Sequence, residues 1–237
     1  MLKEFAQYLV SLKDNKTYEI HGDTYSDHEL HRIEKYVPHP KCVEVAGLDS
    51  IVKMINAEAK KLTGPIYILA ESPLEVRAFT ALDGDMKRDS FVRATADVPG
   101  FKNGFIDYQE AIIQLRSKFI PNDDVNYLLD LLSRVNKENG VTTSDNGVTQ
   151  TVEAKTGVSL KQMVNVRPRV TLAPYRTFLE VEQPDSEFIL RLDDDARVGL
   201  FEADGGMWKL AAKKLICAYF QEKFRTEILC GEVVVMM

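Results

Sequence analysis

Apolar residues recur at helical spacing in several segments of this 237-residue chain and alternate with polar residues in others. A period of three to four residues predicts a helix with one buried face, whereas alternation predicts a strand with one buried face. The mixture restricts the fold to classes that combine helices with sheets. The helical spacing predicts five helices, at about residues 2–14, 49–62, 107–119, 122–139 and 207–224.

Runs of β-branched and alternating residues between turn residues predict strands. They lie at residues 17–20, 42–45, 66–70, 76–82, 91–98, 149–154, 162–170, 187–192, 198–203 and 233–237. We therefore expect an α+β fold with mixed and antiparallel sheets. Turn residues at 139–147 divide a mixed α/β subdomain, residues 1–140, from a β-rich subdomain, residues 141–237, which ends in a long helix and a strand. Because no long linker joins the halves, one continuous domain is the alternative.

The charge of the chain argues against a broad nucleic-acid-binding face. The formal net charge is −6, and affinity for phosphate backbones comes mainly from clustered lysine and arginine. Basic residues dominate at 151–180 and acidic residues at 181–204, a dipolar pattern that can pair with itself or with a charged partner. No run suits a signal peptide or a membrane span, and three widely spaced cysteines suit reduced thiols. We expect a cytoplasmic protein without a membrane partner.

All four histidines lie between His21 and His39, and three of them combine with a cysteine in a possible metal-binding pattern. His28 and His31 form one pair with a two-residue spacer, and His39 and Cys42 form a second. Zinc accepts imidazole and thiolate ligands at such spacing. The alternative is a solvated polar turn, since spacing without structural context has many false positives. We therefore expect no cofactor, with zinc as the alternative.

Arg167, Arg169, Tyr175 and Arg176 are the best candidates for a surface that binds an anion or a partner. On one extended strand Arg167 and Arg169 would point to the same face, about 6–7 Å apart. Two guanidinium groups at that spacing can grip phosphates or carboxylates. The alternative is ion pairing with the acidic stretch that follows, which is predicted to contain the next strand.

No sequence motif predicts a particular reaction. The chain lacks Gly-x-Ser-x-Gly, Walker-type and zinc-protease patterns. Asp83-Gly84-Asp85 and Asp193-Asp194-Asp195 are predicted hairpin turns, with a divalent-cation site as the alternative. Asp204 is predicted to cap the last helix. The absence of these motifs favours a non-enzymatic protein. It does not exclude an enzyme, because catalytic triads assemble from residues that are distant in sequence.

Several segments carry a resemblance to a known family, and they occur in the family's order. They are residues 36–40 (YVPHP), 48–56 (LDSIVKMIN), the helix pair at 107–135, 166–170 (VRPRV) and 172–175 (LAPY). On these segments the chain resembles the uncharacterised phage and prophage family typified by the YfdQ protein, over about residues 30–225. The resemblance implies a protein encoded among early phage genes and located in the cytoplasm of a bacterial host. It assigns no reaction and no catalytic residue.

Three functions are consistent with these features. The first is non-enzymatic binding to a host or phage protein, for example to block a bacterial defence or nucleic-acid-processing system. The second is a single-stranded nucleic-acid-binding accessory factor that uses Arg167, Arg169, Tyr175 and Arg176, although the net charge disfavours it. The third is a metal-dependent enzyme or zinc-stabilised module.

The apolar run at residues 233–237 (VVVMM) also predicts self-association, as a symmetric dimer or a larger closed assembly. An exposed run of this kind would be a sticky edge. It is expected to be an inner strand of its own sheet or a strand added to a neighbouring subunit.

Overall fold

The computed structural model describes residues 2–11, 16–20, 23–26, 39–84, 86–134, 141–145, 150–156, 160–193 and 197–237. The chain divides into two compact units, Met1–His39 and Pro40–Met237. The first unit contains helix α1 (Leu2–Ser11) and an antiparallel hairpin of β1 (Thr17–Ile20) and β2 (Asp23–Ser26). The predicted helix and the predicted strand at residues 17–20 are therefore confirmed. The predicted end of the helix near Asp14 and Asn15 lies outside the described residues.

The second unit contains the remaining helices and strands. Its helices are α2 (Leu48–Glu58), which continues into a 3-10 turn at Ala59–Lys61, α3 (Tyr108–Ser117), α4 (Asp123–Arg134), α5 (Met207–Lys223) and α6 (Arg225–Leu229). Its strands are β3 (Val43–Val45), β4 (Ile66–Ser72), β5 (Glu75–Phe79), β6 (Ser90–Thr95), β7 (Gly104–Ile106), β8 (Val141–Asp145), β9 (Gln150–Thr156), β10 (Leu160–Val166), β11 (Arg169–Leu172), β12 (Ser186–Leu192), β13 (Val198–Glu202) and β14 (Val233–Met236).

A mixed five-stranded sheet has the order β14-β4-β5-β6-β3. β4, β5 and β6 are antiparallel, whereas β14 and β3 lie parallel to β4 and β6 at the two edges. Along β5 the side chains alternate, so that Val76 and Ala78 are buried while Glu75 and Arg77 are partly exposed on the other face. Helices α2 and α5 pack against this sheet. Its core includes Ile51, Ile55, Ile68, Phe91, Phe178, Ile216 and Phe220.

An antiparallel four-stranded sheet has the order β11-β12-β13-β7. Its apolar residues share a second core with α3 and α4. The rings of Phe101, Phe119 and Phe188 meet there with centroids 5.3–6.5 Å apart and tilted planes, an arrangement that aromatic rings favour. The antiparallel sheet β10-β9-β8 is linked to this layer by Gln150, whose side chain exchanges two hydrogen bonds with the backbone of Leu192.

The predicted α+β class is confirmed, with mixed and antiparallel sheets and a C-terminal order of strands, long helix and strand. Both larger sheets combine strands from before and after residue 140, because β7 joins β13 and β14 joins β4. The subdomain boundary between residues 140 and 141 stays a prediction, and the turn-rich residues 146–147 lie outside the described part of the chain. Among the described residues, no helix is long and apolar enough to cross a membrane.

Predicted helix starts and turns that depend on local hydrogen bonds are largely confirmed. The Asp107 carboxylate accepts from the backbone N–H of Gln109 at the start of α3, and the Asn122 side chain accepts from the backbone N–H of Val125 in the first turn of α4. In the predicted turn after β5, Asp83 accepts from a backbone N–H four residues later. These contacts satisfy backbone N–H groups that would otherwise lack partners.

One predicted strand, residues 162–170, is wrong because it is two strands in different sheets. β10 ends at Val166 and β11 begins at Arg169. Between them lies Pro168, which has no backbone N–H to donate to a ladder. Its carbonyl instead accepts from the backbone N–H of Leu190 at 3.0 Å.

The predicted cap of α2 is also wrong. We expected Asp49 or Ser50 to cap the helix, but α2 begins at Leu48 and its N-cap residue is Gly47, which offers no side chain. The carboxylate of Glu180 approaches the helix start instead and accepts from the backbone N–H of Asp49 at 3.4 Å. A β-carbon on Gly47 would overlap that carboxylate oxygen, so a larger residue there would displace the Glu180 side chain.

Candidate functional site

The segment between β11 and β12, residues 173–185, is ordered without forming a helix or a strand of its own. Its organising residue is Gln183, which is 7% exposed. The Gln183 side-chain oxygen accepts from the backbone N–H groups of Arg176 and Thr177 at 2.9 and 3.1 Å. Its amide nitrogen donates to the carbonyls of Phe178 and Val181 at 3.0 and 3.3 Å. The buried amide of Gln183 thus bonds to backbone N–H and C=O groups that a helix or a sheet would otherwise pair with each other.

Two hydrogen bonds attach this segment to the rest of the second unit, one at the turn between β4 and β5 and one at the end of α3. The Thr177 hydroxyl, fully buried, donates to the carbonyl of Pro73 in the turn between β4 and β5 at 2.6 Å. The backbone N–H of Tyr175 donates to the carbonyl of Lys118 at the end of α3 at 2.9 Å. The segment is therefore tied to the five-stranded sheet and to the helical layer of the other sheet.

Arg176 is the charged centre of this region and is only 6% exposed. Its guanidinium donates to the carboxylate of Glu202 at 3.0 Å and to the carbonyl of Pro184 at 3.1 Å, and it also donates to the hydroxyl of Ser186. It lies over the ring of Trp208, 4.1 Å from the ring centroid. Burial lowers the pKa of Arg176, while the nearby carboxylates oppose that shift, so the group stays charged.

Asp204 lies on the far side of the Ser186 hydroxyl. Ser186 donates to the Asp204 carboxylate at 2.6 Å, and the backbone N–H groups of Gly206 and Trp208 donate to it at 2.9 and 3.1 Å. Burial alone would raise the pKa of Asp204, but these three hydrogen bonds and the positive charge of Arg176 lower it. The prediction that Asp204 is the cap of the last helix is wrong, because the N-cap residue of α5 is Gly206, but the Asp204 carboxylate does accept from the backbone N–H of Trp208 in the first turn.

The hydrogen-bonded series of Arg176, Ser186 and Asp204 does not have the properties of a catalytic proton relay. Ser186 is 3% exposed and its proton is already committed to Asp204. A carboxylate with a lowered pKa is a poor general base near neutral pH. The geometry therefore makes Arg176, Ser186 and Asp204 a neutralised, positioning cluster that fixes the start of α5 against β12 and β13.

Beside this cluster lies a cavity of about 300 Å³, which we call the α5 groove. It is lined by Asp185, Ser186, Glu187, Asp204, Met207, Trp208, Leu210, Ala211 and Lys214. Met207 is 63% exposed and Leu210 is 41% exposed. A contiguous exposed apolar patch is a mark of binding surfaces. The groove combines an apolar wall from α5 with a mainly acidic wall from the end of the 173–185 segment and β12.

The structure does not bring the four predicted binding residues into one patch. Arg167 pairs with Asp124 at 3.1 Å, and its guanidinium lies 4.3 Å from the centroid of the Tyr127 ring. Arg169 pairs with Glu187 in the neighbouring strand at 2.7 Å, which is the alternative interpretation offered by the sequence. Arg176 is buried, as described above.

Tyr175, the fourth predicted residue, lines a separate cavity of about 230 Å³. Ile120, Ala173, Leu179 and Gln183 also line it. Asp185 reaches both this cavity and the α5 groove. None of the four predicted residues lines the α5 groove, although Arg169 and Arg176 contact its lining residues Glu187 and Ser186.

The predicted metal ligands are divided between the described and undescribed parts of the chain. His28 and His31 lie outside the described residues. His39 belongs to the first unit and is exposed, and the thiol of Cys42 in the second unit lies 3.3 Å from the hydroxyl of Ser90. Among the described residues there is no group of three His, Cys, Asp or Glu side chains that could hold a metal ion. The zinc hypothesis stays a prediction.

Sequence reasoning missed the residues that organise this site. Gln183, Ser186 and Trp208 belong to no motif. Gln183 and Ser186 meet Arg176 through the irregular path of residues 173–185, and Trp208 meets it through the docking of α5. The one usable signal was Asp204 before two glycines, which predicts a helix start but does not reveal the bond to Ser186.

Comparison with protein-family models, curated proteins and solved structures finds no match for this chain.

Proposed function

We propose that the protein acts by binding another protein in the α5 groove. The observation that carries the proposal is the exposure of Met207 and Leu210 beside a cavity of about 300 Å³, two of whose lining residues, Ser186 and Asp204, are joined by a hydrogen bond. Pre-organisation lowers the ordering cost of binding. The resemblance to the phage and prophage family is the reason for proposing a host or phage protein as the partner, for example a component of a defence or nucleic-acid-processing system.

The lining residues define the chemistry of the partner. Met207, Leu210 and Ala211 offer an apolar wall, whereas Asp185, Glu187 and Asp204 offer carboxylates and only Lys214 among the lining residues is basic. Asp185 is exposed, while Glu187 is already paired with Arg169. The groove therefore suits a segment that presents an apolar side chain next to a lysine or arginine, which would pair with Asp185 at the rim.

A binding role uses the groups of the site as they are found. Ser186 and Asp204 are hydrogen-bonded to each other, and Arg176 is neutralised and lies beneath the surface. Each of these contacts holds the groove in shape. The proposal therefore needs no change in the buried cluster when a partner binds.

A peptide-display selection tests the proposal. Random 15-residue peptides would be selected on the wild-type protein and then measured against Leu210→Asp and against Ile113→Asp, a control on α3 that is 64% exposed. We expect enrichment of sequences that join apolar and basic residues, and a loss of affinity of at least about tenfold for Leu210→Asp alone. Peptides that bind both variants equally would refute the groove, and Asp185→Lys should reverse the preference from basic to acidic peptides.

Single-stranded nucleic-acid binding is the second candidate function. Arg167 and Arg169 keep side-chain exposures of 58% and 62%, and a surface ion pair contributes little energy that a phosphate would have to replace. Against this, each arginine faces a carboxylate and Arg176 is inaccessible. Gel retardation of a 30-nucleotide single strand at low salt decides the matter: retardation that is lost in the double variant Arg167→Ala, Arg169→Ala favours nucleic acid.

The metal hypothesis needs a direct measurement on the untagged protein. A zinc content near one per chain, lost when His28 and His31 are both replaced by alanine, would support a zinc-stabilised module. A content near zero would remove that hypothesis and leave the groove proposal unaffected.

A further inference from the structure

β14 is an edge strand that lacks the residues that usually protect edge strands from pairing with other chains. β14 ends the five-stranded sheet, and among the described residues no strand pairs with its outer side. Its four residues, Val233–Met236, contain no charge, no proline and no glycine. Natural edge strands are generally protected from pairing by such residues, by shortness or by a covering element.

The other edges of the two larger sheets carry that protection. β3, the opposite edge of the same sheet, has Glu44 at its centre. β11 begins at Arg169, directly after Pro168, and β7 is three residues long and contains Gly104. β14 is as short as β11, but it differs from these three edges in containing no charged residue, proline or glycine.

The register of β14 on β4 fixes which backbone groups point outward. Val233 lies opposite Ile66, and the backbone N–H of Ile66 donates to the carbonyl of Glu232 at 2.9 Å. In a parallel ladder the bonding groups alternate along the strand. Residues 232, 234 and 236 therefore bond to β4, and Val233 and Val235 direct both their N–H and C=O groups to the open side.

We propose that β14 pairs with β14 of a second copy of this chain, antiparallel and about a two-fold axis at Val235, to join two five-stranded sheets into one. This register places Val235 opposite its own counterpart and Val233 opposite Met237, so that every outward N–H and C=O of the strand gains a partner. A two-fold axis makes the contact self-complementary and closed.

Apolar surface near the strand adds to the pairing. Leu229 at the end of α6 is 83% exposed, and Met237 is 55% exposed. α6 packs beside β14 and leads into it through a turn at residues 230–232. Edge pairing brings the end of this helix near the second copy, which extends the interface beyond the short strands.

Light scattering on purified protein at micromolar concentration is the first test. The wild type should have twice the chain mass of 26.8 kDa. Val235→Pro removes an N–H that points outward while leaving the bonds to β4 intact, so it should give a monomer with an unchanged circular dichroism spectrum. Val235→Thr keeps the N–H and the branched shape and should remain a dimer. A wild-type monomer, or a folded Val235→Pro dimer, would overturn the proposal.

Disulfide trapping decides the case even if Val235→Pro fails to fold. In a Cys230→Ser background, Val235→Cys should form a disulfide-linked dimer under mild oxidation, because opposed residues in a hydrogen-bonded pair have α-carbons about 5.5 Å apart. Glu232→Cys is the matched control: in this register it lies about 20 Å from its counterpart and should stay monomeric. Equal cross-linking of both variants would contradict the register, and failure of Val235→Cys to cross-link would refute the pairing.

Discussion

Replacing Arg176 by methionine is expected to lower the free energy of unfolding by about 3 kcal/mol. The guanidinium is 6% exposed and makes hydrogen bonds to Glu202, Pro184 and Ser186. Methionine fills much of the same volume without donating. The buried carbonyl of Pro184 then loses its partner, which costs about 1–3 kcal/mol.

Other changes in the same variant partly offset one another. Losing the contact with the ring of Trp208 costs up to about 2 kcal/mol when the pair is desolvated. Glu202 keeps a side-chain exposure of 27%, so water replaces much of what it loses. Removing a buried charge also relieves its desolvation, which keeps the total below the 5 kcal/mol reached when some buried pairs are broken.

Arg169→Met is the matched control, because it breaks an arginine–glutamate pair of similar length on an exposed part of the same sheet. The Arg169 side chain is 62% exposed, and the expected loss is below about 1 kcal/mol. Urea unfolding followed by circular dichroism and by the fluorescence of Trp208, the only tryptophan, measures both variants. Equal losses for the two variants, or a loss below about 0.5 kcal/mol for Arg176→Met, would show that burial does not decide the strength of this cluster.

Three further outcomes are expected. Gly47→Ala should cost about 1 kcal/mol of stability by displacing Glu180 from the start of α2, and Glu180→Ala should add little in the double variant, as a double-mutant cycle in urea would show. Hydrogen bonds to two arginines are the main reason that the pKa of Glu75 is lowered to about 2. The ionised carboxylate therefore contributes fully to stability above about pH 4.5, and this contribution is lost as the pH falls toward 2. Glu75→Gln should accordingly reduce the fall of Tm at acid pH. Exposed Cys230 should react with a thiol reagent at neutral pH much faster than Cys217, whose pKa burial raises, and equal rates would contradict the packing of α5.

The parts of the fold that depend on local sequence could be predicted from it. The helices at residues 108–117 and 123–134 follow from their apolar spacing and from Asp107 and Asn122, whose side chains bond to backbone groups two or three residues away. Hairpin strands are similarly local, since β4, β5 and β6 follow one another along the chain. Pro168 was also visible in the sequence, and giving its missing N–H more weight would have divided the strand predicted at 162–170.

The candidate site could not be predicted in the same way, because its contacts are between distant residues. Arg176 was selected for its charge as a surface residue, yet its burial depends on Glu202 and Trp208, which only the pairing of β12 with β13 and the docking of α5 bring near. Gln183 lies in a segment with no apolar period, so nothing in the sequence marks it as the residue that orders residues 173–185. Charge alone does not distinguish a guanidinium that binds a ligand from one that holds a fold together.

The pairing of β14 with β4 has a consequence for the order in which the chain can fold. Val233 lies opposite Ile66, and a contact between residues so far apart in sequence slows folding because a long loop must close first. During synthesis, at about 5–20 residues per second, β4, β5 and β6 emerge and can pair well before Val233–Met236 leaves the ribosome. For that interval the edge of β4 stays open to other nascent chains. A truncation that removes β14 is therefore expected to leave the edge of β4 open permanently.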